Sequence, residues 1–396
     1  MQINSENPNQ LAVYDIIIAG AGCAGLSLLH AILNSPTLRD QNILVIDKSF
    51  EKSNDRTWCF WEEGNGIFEH LVCKHWEQIS VHKKPFSTTL PTDPFVYKMI
   101  QGESFYNYVI DFAKKFDNVH WIEATIELMD NHHDQVQVVW EGGKAIGNKV
   151  FSSVLSQEKL FIISQSNLNT PFLWQHFKGL LIQFDEPVFN EMEARLMDFN
   201  VNQQQATAFM YQLPLSDRQA LVEYTIFSKD ILSPTQYESE IKSYLSINYP
   251  NANYQIVHEE IGAIPMTSQR FANNEGNIFV IGTLGNAVKA STGYAFQFIQ
   301  KQVKQIVNQL EKGHAIDSSI HNTRHFFYDA VLLYILDKKL MEGSEIFKRI
   351  FEKNSAATIF KFLSNTSTIW EDIKIMRSLP TSIFLPAAIK VLLRQS

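Results

Sequence analysis

Cysteine is scarce in this chain of 396 residues, which contains only Cys23, Cys59 and Cys73. An odd number of cysteines without a C-x-x-C pair predicts no disulfide framework and fits a reducing compartment. The sequence also lacks histidine and cysteine clusters with the spacing of metal ligands, so we expect no metal site. Basic residues are outnumbered, with 34 lysines and arginines against 42 acids, and the net charge of −8 argues against nucleic acid as a partner.

Long hydrophobic runs are missing as well. The longest stretch without a charged residue, Ile16 to Leu38, is interrupted by glycines and by Pro36, which argues against a membrane-spanning helix. The first ten residues are polar, so we expect no signal peptide. The sequence therefore predicts a protein that is not integral to a membrane and is long enough for two or three domains.

The most informative pattern that is present lies near the N-terminus. A short apolar run leads into Gly20-Ala21-Gly22-Cys23-Ala24-Gly25, and a second apolar run ends at Asp47, 22 residues after Gly25. This spacing is typical of a dinucleotide-binding βαβ unit. In such a unit, Gly20 permits the tight turn, Gly22 lets the backbone approach a pyrophosphate, and Gly25 allows close packing of helix and strand. Asp47 is expected to accept a hydrogen bond from a ribose hydroxyl.

A second glycine-bearing loop follows a later apolar run. The run from Asn277 to Ile281 leads into Gly282-Thr283-Leu284-Gly285, and a strong helix candidate spans Tyr294 to Lys312. In flavoproteins of the two-dinucleotide-binding type, a late strand–loop–helix contacts the ribityl chain and flavin of FAD. Gly282, Thr283 and Gly285 are therefore predicted to bind this cofactor, although an unrelated β–α turn would give the same local pattern.

The order of these patterns predicts an α/β fold with three parts. Residues 12–171 and 259–313 are expected to form a discontinuous Rossmann-like FAD-binding domain, with a loop-rich excursion over residues 51–100. Strand-like segments separated by turns predict an inserted antiparallel-sheet substrate domain over residues 172–258. Residues 314–396 are expected to be mostly helical. The 28 phenylalanines could form core or line a long apolar substrate site.

Five separated blocks of the sequence closely resemble the lycopene β-cyclases of the bacterial carotenoid pathway. They follow the family's order, and the resemblance extends from about residue 13 to residue 385. The blocks are Asn54-Asp55-Arg56-Thr57-Trp58-Cys59-Phe60-Trp61-Glu62, Leu196-Met197-Asp198-Phe199 with Gln203, Phe209 to Leu215 followed by Ala220-Leu221-Val222-Glu223-Tyr224-Thr225, Glu260 to Thr267, and Gly282 to Phe296.

The resemblance implies an isomerase that converts the linear ψ end groups of lycopene to β-ionone rings, giving γ-carotene and then β-carotene. It implies that FAD must be reduced, with NAD(P)H as reductant, while the reaction itself consumes no electrons overall. It also implies that Arg56 contacts the cofactor.

The substrates that the resemblance implies, lycopene and related linear carotenoids, are confined to membranes. The protein is therefore expected to be cytoplasmic and peripherally associated with the cell membrane. The tail from Ile373 to Ser396 carries four basic residues and no acid. This basic, apolar segment could lie in the interface of anionic lipid, or it could pack on the protein core.

Glu223 is the predicted proton donor of this reaction. Protonating a carbon–carbon double bond needs a carboxylic acid kept neutral in an apolar pocket, because burial disfavours the carboxylate and raises its pKa. The surrounding run is apolar and strand-like, and alternation places on one face Leu221, Glu223, Thr225 and Phe227. Taken alone, this pattern also fits a solvent-facing glutamate on a half-exposed strand.

The chain departs from the family pattern at several positions. Ser164-Gln165-Ser166 stands where an aspartate and an arginine are common, and Tyr224 stands where a second carboxylate is frequent. The late glycine pair reads Gly285-Asn286, and the C-terminal block, Phe362 to Ser367, has no carboxylate. Elsewhere in the chain, Glu259 and Glu260 could assist Glu223 or could be solvated loop acids.

Three other functions share parts of these patterns. A flavin monooxygenase would consume NADPH and oxygen, and an isoprenoid reductase would add two hydrogens to each double bond that it saturates. A carotenoid or flavin carrier would leave its ligand unchanged, and the acid-bearing block argues against this third function.

Overall fold

The computed structural model of the chain describes residues 11–154, 170–269, 274–320 and 323–395. The predicted strand end at Ser164-Gln165-Ser166 lies outside these residues. The strands are β1 (Val13–Ala19), β2 (Ile43–Asp47), β3 (Thr57–Glu63), β4 (Val72–Trp76), β5 (Gln78–Lys83), β6 (Phe86–Pro91), β7 (Phe95–Gln101), β8 (Val119–Glu123), β9 (Ile126–His132), β10 (Gln135–Trp140), β11 (Gly143–Ser152), β12 (Phe172–Phe184), β13 (Glu193–Asp198), β14 (Thr207–Pro214), β15 (Gln219–Ser228), β16 (Tyr254–Thr267) and β17 (Ile278–Val280).

The helices within the described residues are α1 (Cys23–Asn34), α2 (Gly102–Ala113), α3 (Pro234–Asn248), α4 (Phe296–Glu311), α5 (Thr323–Asp337), α6 (Gly343–Lys353), α7 (Ala356–Leu363), α8 (Ile369–Arg377) and α9 (Thr381–Gln395). Residues after 322 are thus mainly helical, as predicted. Within the described part of the chain, none of the helices combines the length and the hydropathy needed to cross a membrane.

The nucleotide-binding sheet has the strand order β8-β2-β1-β11-β10-β9, with β17 beside β11. β1, β2, β8, β11 and β17 pair in parallel, and α1 connects β1 to β2 as the glycine pattern predicts. The sequences of β1 and β2 are continuous apolar runs because alternate side chains of each strand pack in two different cores. Helices α1, α2 and α4 share a core with one face of this sheet.

The second large sheet has the order β16-β12-β15-β14-β13-β5-β6, and its pairs are antiparallel except for β13 with β5. Helix α3 packs on one face of this sheet, over a core that includes Val222, Tyr224 and Ile226. The C-terminal helices cover the other face, which includes Leu221 and Phe227. The sheet is therefore buried on both sides, although it is mostly antiparallel.

Two details of the predicted organisation are wrong. Residues 51–100 are not loop-rich, because they contain β3 to β7, of which β5 and β6 extend the antiparallel sheet. The predicted boundary at residue 258 falls inside β16, which pairs with β12 from Tyr254 to Thr267. Residues 259–267 consequently belong to the antiparallel sheet and not to the nucleotide-binding unit.

Strands β3, β5 and β7 of this segment were not predicted because each buries consecutive residues, which point to opposite faces, and this removes the alternation of apolar and polar residues. In β3, Phe60 packs in the core of the nucleotide-binding unit, whereas Trp61 packs in the core beneath the C-terminal helices. The small sheet β3-β7-β4 thus lies where the two large cores meet. This position brings β3 to the candidate site described below.

Candidate active site

The first glycine loop joins β1 to α1 in a form suited to a dinucleotide phosphate. Gly20 has a φ of +102°, which favours glycine, and a Cβ atom at Gly25 would collide with the Gly20 carbonyl oxygen. A Cβ atom at Gly22 would meet no atom within 4 Å. Backbone conformation therefore explains the glycine at position 20, and packing explains the glycine at position 25. The open side of Gly22 fits the approach of a phosphate. Gly22 is also the N-cap of α1, a helix end that favours anions.

Asp47 lies at the end of β2, beside this loop. Its Oδ2 accepts a hydrogen bond from the Ala21 N–H at 2.5 Å, and its Oδ1 lies 3.0 Å from Lys52 Nζ. The carboxylate thus lies next to the phosphate loop, where the spacing predicts it. Its contact with a ribose hydroxyl stays a prediction.

Arg56 lies just before β3 and points to the surface. Its side chain is 66% exposed and pairs with Asp55 at 3.3 Å. Burial raises the pKa of Cys23, at the start of α1, to about 12, and the charge of Arg56 acts in the opposite direction. The structure places Arg56 at the edge of the predicted cofactor site, and its role there stays a prediction.

The late glycine loop lies against the first one. Gly282 has a φ of +68°, and a Cβ atom there would lie 2.9 Å from the Cβ of Ala24 in α1. Gln302 of α4 holds the loop: its Oε1 accepts from the Gly282 N–H at 2.8 Å, and its Nε2 donates to the Gly285 carbonyl at 3.2 Å. Thr283 lies between these two glycines. The structure therefore brings both predicted loops to the start of α1, and it adds Gln302, which the sequence pattern did not single out.

Polar atoms near the end of the late loop fit a polar ligand. Thr292 Oγ1 and Gln175 Oε1 are buried and have no hydrogen-bond partner among the residues that the structure describes. Gly293 has a φ of +73°, and a Cβ atom there would collide with Gln175 Oε1, so Gln175 contacts the loop. A buried polar atom without a partner costs free energy, which a hydrogen bond to a flavin along this loop would recover. The residues present therefore fit FAD.

Glu223 lies in the middle of β15 and is 9% exposed, so it is not a solvent-facing residue. Thr225, on the same face, donates a hydrogen bond of 2.6 Å to Glu223 Oε1. Leu221 and Phe227 lie in the core under the C-terminal helices, which confirms the predicted alternation. Burial raises the pKa of Glu223 well above its ordinary value, and the nearby carboxylate of Glu260 raises it further.

Glu260 supplies a second buried carboxyl from β16. Gly179 of β12 is the register partner of both Glu223 and Glu260, so one glycine separates the two acids. Because Gly179 has no side chain, the carboxyls approach each other across it and share a hydrogen bond. Glu259 instead pairs with Lys178 at 2.8 Å, and its side chain is about half exposed. Of the two acids left open by the sequence, only Glu260 belongs to the site.

The surroundings of the two carboxyl groups shift their pKa values to different extents. Burial raises the pKa of Glu260, but hydrogen bonds from Thr57 and Glu223 and the charge of His258 lower it. The Thr57 hydroxyl donates to Glu260 Oε2 at 2.8 Å, which favours the carboxylate form. Glu223 also accepts a hydroxyl hydrogen bond, from Thr225, but burial and the charge of Glu260 raise its pKa well above the ordinary value, which favours Glu223 as the protonated member of the pair. Its role as the acid stays a prediction.

An aromatic wall, formed by Trp61, Tyr97, Tyr211 and Tyr294, lies beside the carboxyl pair. Tyr211 is the direct cross-strand partner of Glu223, and its hydroxyl lies 3.5 Å from that of Tyr294. Tyr294 also hydrogen-bonds to Tyr97, and its ring meets that of Trp61 edge-on with centroids 4.6 Å apart. Aromatic faces attract positive charge. Since Tyr294 ends the late loop, the wall connects the acid to the predicted flavin site.

Strand β3 contributes to this site through one of its two faces. Thr57 bonds to Glu260, Trp61 belongs to the aromatic wall, and Cys59 lies between them. Burial raises the pKa of Cys59 well above its ordinary value, and the charge of Glu260 adds to this effect. The spacing of residues 57, 59 and 61 is the sequence signal that could have indicated a common face.

The C-terminal block from Phe362 to Ser367 supports both the wall and the late loop. Trp61 Nε1 donates to Ser364 Oγ at 2.7 Å. Lys289 of the late loop is fully buried, lies 2.8 Å from Asp329 and donates to Asn365 Oδ1 at 2.7 Å. The helical region is therefore built into the site.

Comparison with known proteins identifies the family of the chain. The sequence model that describes lycopene cyclase proteins matches residues 15–388. The chain belongs to the lycopene cyclase family. One curated relative of this family member is the lycopene beta-cyclase of Pantoea ananas, which is 25% identical over 267 residues. That match covers 64% of this chain and 63% of the relative, less than two thirds of its length.

The fold of this lycopene cyclase family member is that of FAD-dependent flavoproteins. A flavoprotein/dehydrogenase from Cytophaga hutchinsonii is similar at 9% identity with a TM-score of 0.58, over 97% of this chain and 100% of that one. A geranylgeranyl bacteriochlorophyll reductase-like protein from Thermoplasma acidophilum is similar at 11% identity with a TM-score of 0.57, over 97% and 100%. The predicted Rossmann-type α/β fold is confirmed.

Proposed function

We propose that this protein is a lycopene β-cyclase, an isomerase that converts the linear ψ end groups of lycopene to β-ionone rings. The observation that carries the proposal is the buried pair of Glu223 and Glu260 beside the aromatic wall. A neutral acid in a dry site, next to π faces, is what protonation of a hydrocarbon double bond requires. Membership of the lycopene cyclase family supports this assignment.

FAD would be held by the two glycine loops, through Gly20, Gly22 and Gly25 and through Gly282, Thr283 and Gly285, with Asp47 at the ribose and Arg56 at the edge. When bound in its reduced form, with NAD(P)H as the reductant, it would supply negative charge near the cation formed from the substrate. Fixed charge in a dry site has a much larger effect than the same charge in water.

The first chemical step is proton transfer from Glu223. The O–H bond of the acid breaks, and a C–H bond forms at the terminal double bond of the substrate, which leaves a tertiary cation. The Thr225 hydroxyl, which already donates to Glu223 Oε1 at 2.6 Å, stabilises the new carboxylate. With Glu260 also ionised, the pair then presents negative charge to the cation, and the aromatic wall presents π faces.

Ring closure and proton loss complete the reaction. The neighbouring double bond of the substrate attacks the cation and forms the ring carbon–carbon bond. A ring proton then passes to Glu260, and it returns to Glu223 across the hydrogen bond that the two acids share. Substrate and product are isomers, and the pair ends each cycle with the proton with which it began.

The direct test is expression of the chain in cells that accumulate lycopene, followed by chromatography and mass spectrometry of the pigments. The expected products carry β rings and keep the mass of lycopene. Purified, chemically reduced protein should also convert many lycopene molecules anaerobically without further NADPH. A product with added oxygen would indicate a monooxygenase, and a product heavier by two hydrogens would indicate a reductase. Either result would refute the proposal.

A further inference from the structure

Helices α8 and α9 carry an unusual number of exposed apolar side chains. Trp370 is 81% exposed, and Leu393 is 71% exposed. The complete set on these two helices is Ile369, Trp370, Met376, Leu385, Ile389, Leu392 and Leu393. Scattered exposed apolar residues are normal, but seven on two consecutive helices are an accumulation that is typical of a contact site.

The apolar residues of α9 form two separate stripes. Ala387 and Val391 face inward and belong to the core under the C-terminal helices. The outer stripe contains Leu385, Ile389, Leu392 and Leu393, spaced so that they share one face of the helix. Because the inner stripe already anchors α9, packing within the chain does not require the outer stripe. Packing on the protein core therefore does not account for the outer stripe of this tail.

Charge indicates what covers the outer stripe. Lys374, Arg377 and Lys390 are exposed on the same two helices, and Asp372 is the last acid of the sequence. Asp372 is itself buried and pairs with Arg324 at 2.8 Å. A second copy of the chain would bring like charges together at a two-fold contact, whereas anionic lipid headgroups complement them.

We propose that the outer face of α8 and α9 lies in the interface of an anionic lipid bilayer, with the apolar stripe in the acyl region and the lysines and arginine at the headgroups. Neither helix is long enough to span a bilayer, so this contact is interfacial. The inference rests on the proposed function in one respect, since a membrane-confined hydrocarbon would enter from this side.

The test uses the purified flavin-loaded protein and vesicles of phosphatidylcholine with or without phosphatidylglycerol. The variant is Ile389→Glu with Leu392→Glu. The matched control is Ile67→Glu with Ile247→Glu, which alters two residues that are 70% and 68% exposed on other elements. Ile247 lies on α3, which packs on the opposite face of the antiparallel sheet. Circular dichroism and flavin content check that both proteins are folded.

The wild type and the control should sediment with phosphatidylglycerol vesicles, and the variant should bind them at least roughly tenfold more weakly, because each buried leucine or isoleucine side chain contributes that factor or more. Equal binding of variant and wild type, or no binding of the wild type, would overturn the proposal. If the wild type forms a dimer and does not bind vesicles, and the variant is a monomer, this face is a contact between two copies of the chain and the proposal is wrong.

The same proteins separate this proposal from the proposed function. Ring formation from lycopene embedded in vesicles should fall in the variant, while ring formation from detergent-dispersed lycopene should match that of the wild type. If neither protein forms rings but the wild type binds vesicles and the variant does not, the proposed function is wrong and the proposed membrane contact is supported.

Discussion

Replacement of Glu223 by glutamine tests the central chemical assignment. Glutamine keeps the size of the side chain, its carbonyl can accept the Thr225 hydrogen bond of 2.6 Å, and its amide can donate to Glu260. Only the transferable proton is lost. General acid catalysis is typically worth about 100- to 10,000-fold in rate, which corresponds to roughly 3 to 5 kcal/mol in the activation barrier.

The assay is the initial rate of ring formation by reduced protein under anaerobic conditions, with flavin content measured on the same samples. Glu259→Gln is the matched control, because Glu259 is adjacent to Glu260 in sequence but has a half-exposed side chain that pairs with Lys178 and not with the other acids. The control should keep both rate and flavin. Glu260→Gln should also lower the rate, and the double variant should lose less than the product of the two single losses, because the acids act as a unit.

The reasoning is refuted if Glu223→Gln cyclises lycopene at close to the wild-type rate. A second contrary result is loss of flavin together with loss of rate, because Glu223 lies on the antiparallel sheet and not on either glycine loop. In that case Glu223 is a structural residue, and Glu260 becomes the next candidate for the acid.

Three further predictions address the cofactor loop, the carboxyl pair and pH. Gly22→Val should abolish flavin binding but leave the thermal stability of the flavin-free protein unchanged, because a Cβ atom there meets no neighbour within 4 Å. Gly179→Ala should lower the rate of ring formation, because its Cβ would lie 3.0 Å from Glu260 Cγ and push the pair apart. Burial raises the pKa of Glu223, so the folded protein keeps a proton that the unfolded chain releases above about pH 4.3. The contribution of Glu223 to the free energy of unfolding should therefore fall as pH rises, and denaturant titrations should show the wild type losing stability relative to Glu223→Gln.

Each of these predictions has a contrary result. Full flavin occupancy in Gly22→Val would show that no phosphate approaches this glycine. An unchanged rate in Gly179→Ala would show that close approach of the two acids is unnecessary. Identical pH slopes with and without the Glu223 carboxyl would show that it is not the buried acid described above.

The sequence predicted the nucleotide-binding unit well because its parts are local. Gly20 to Gly25, the helix that follows and Asp47 lie within one βαβ unit, so their spacing alone specifies their arrangement. The late loop was also identified, but Gln302, which fixes it from α4, was not. A glutamine inside a helix carries no pattern that indicates a hydrogen bond to the backbone of a loop 17 to 20 residues earlier.

The carboxyl pair could not be derived in the same way, because it depends on the register of three strands. Residues 179, 223 and 260 belong to β12, β15 and β16, and a shift of one residue in either pairing would turn one acid to the opposite face. The family pattern drew attention to Tyr224, beside Glu223, as the place where a second acid was missing. The second acid instead comes from another strand, across a glycine.

The C-terminal helices matter for the proposed chemistry because they cover the strand face on which Glu223 lies. Glu223 shares its strand face with Leu221 and Phe227, and the Phe227 ring lies 6.3 Å from that of Phe347 in α6. Burial is the main cause of the raised pKa of Glu223, so exposure of this face of the sheet to water would lower that pKa. The same helices hold the aromatic wall through Ser364 and the late loop through Asn365. A helical region that follows both sheets in the sequence thus buries the strand face that carries the proposed acid and positions the late loop beside it.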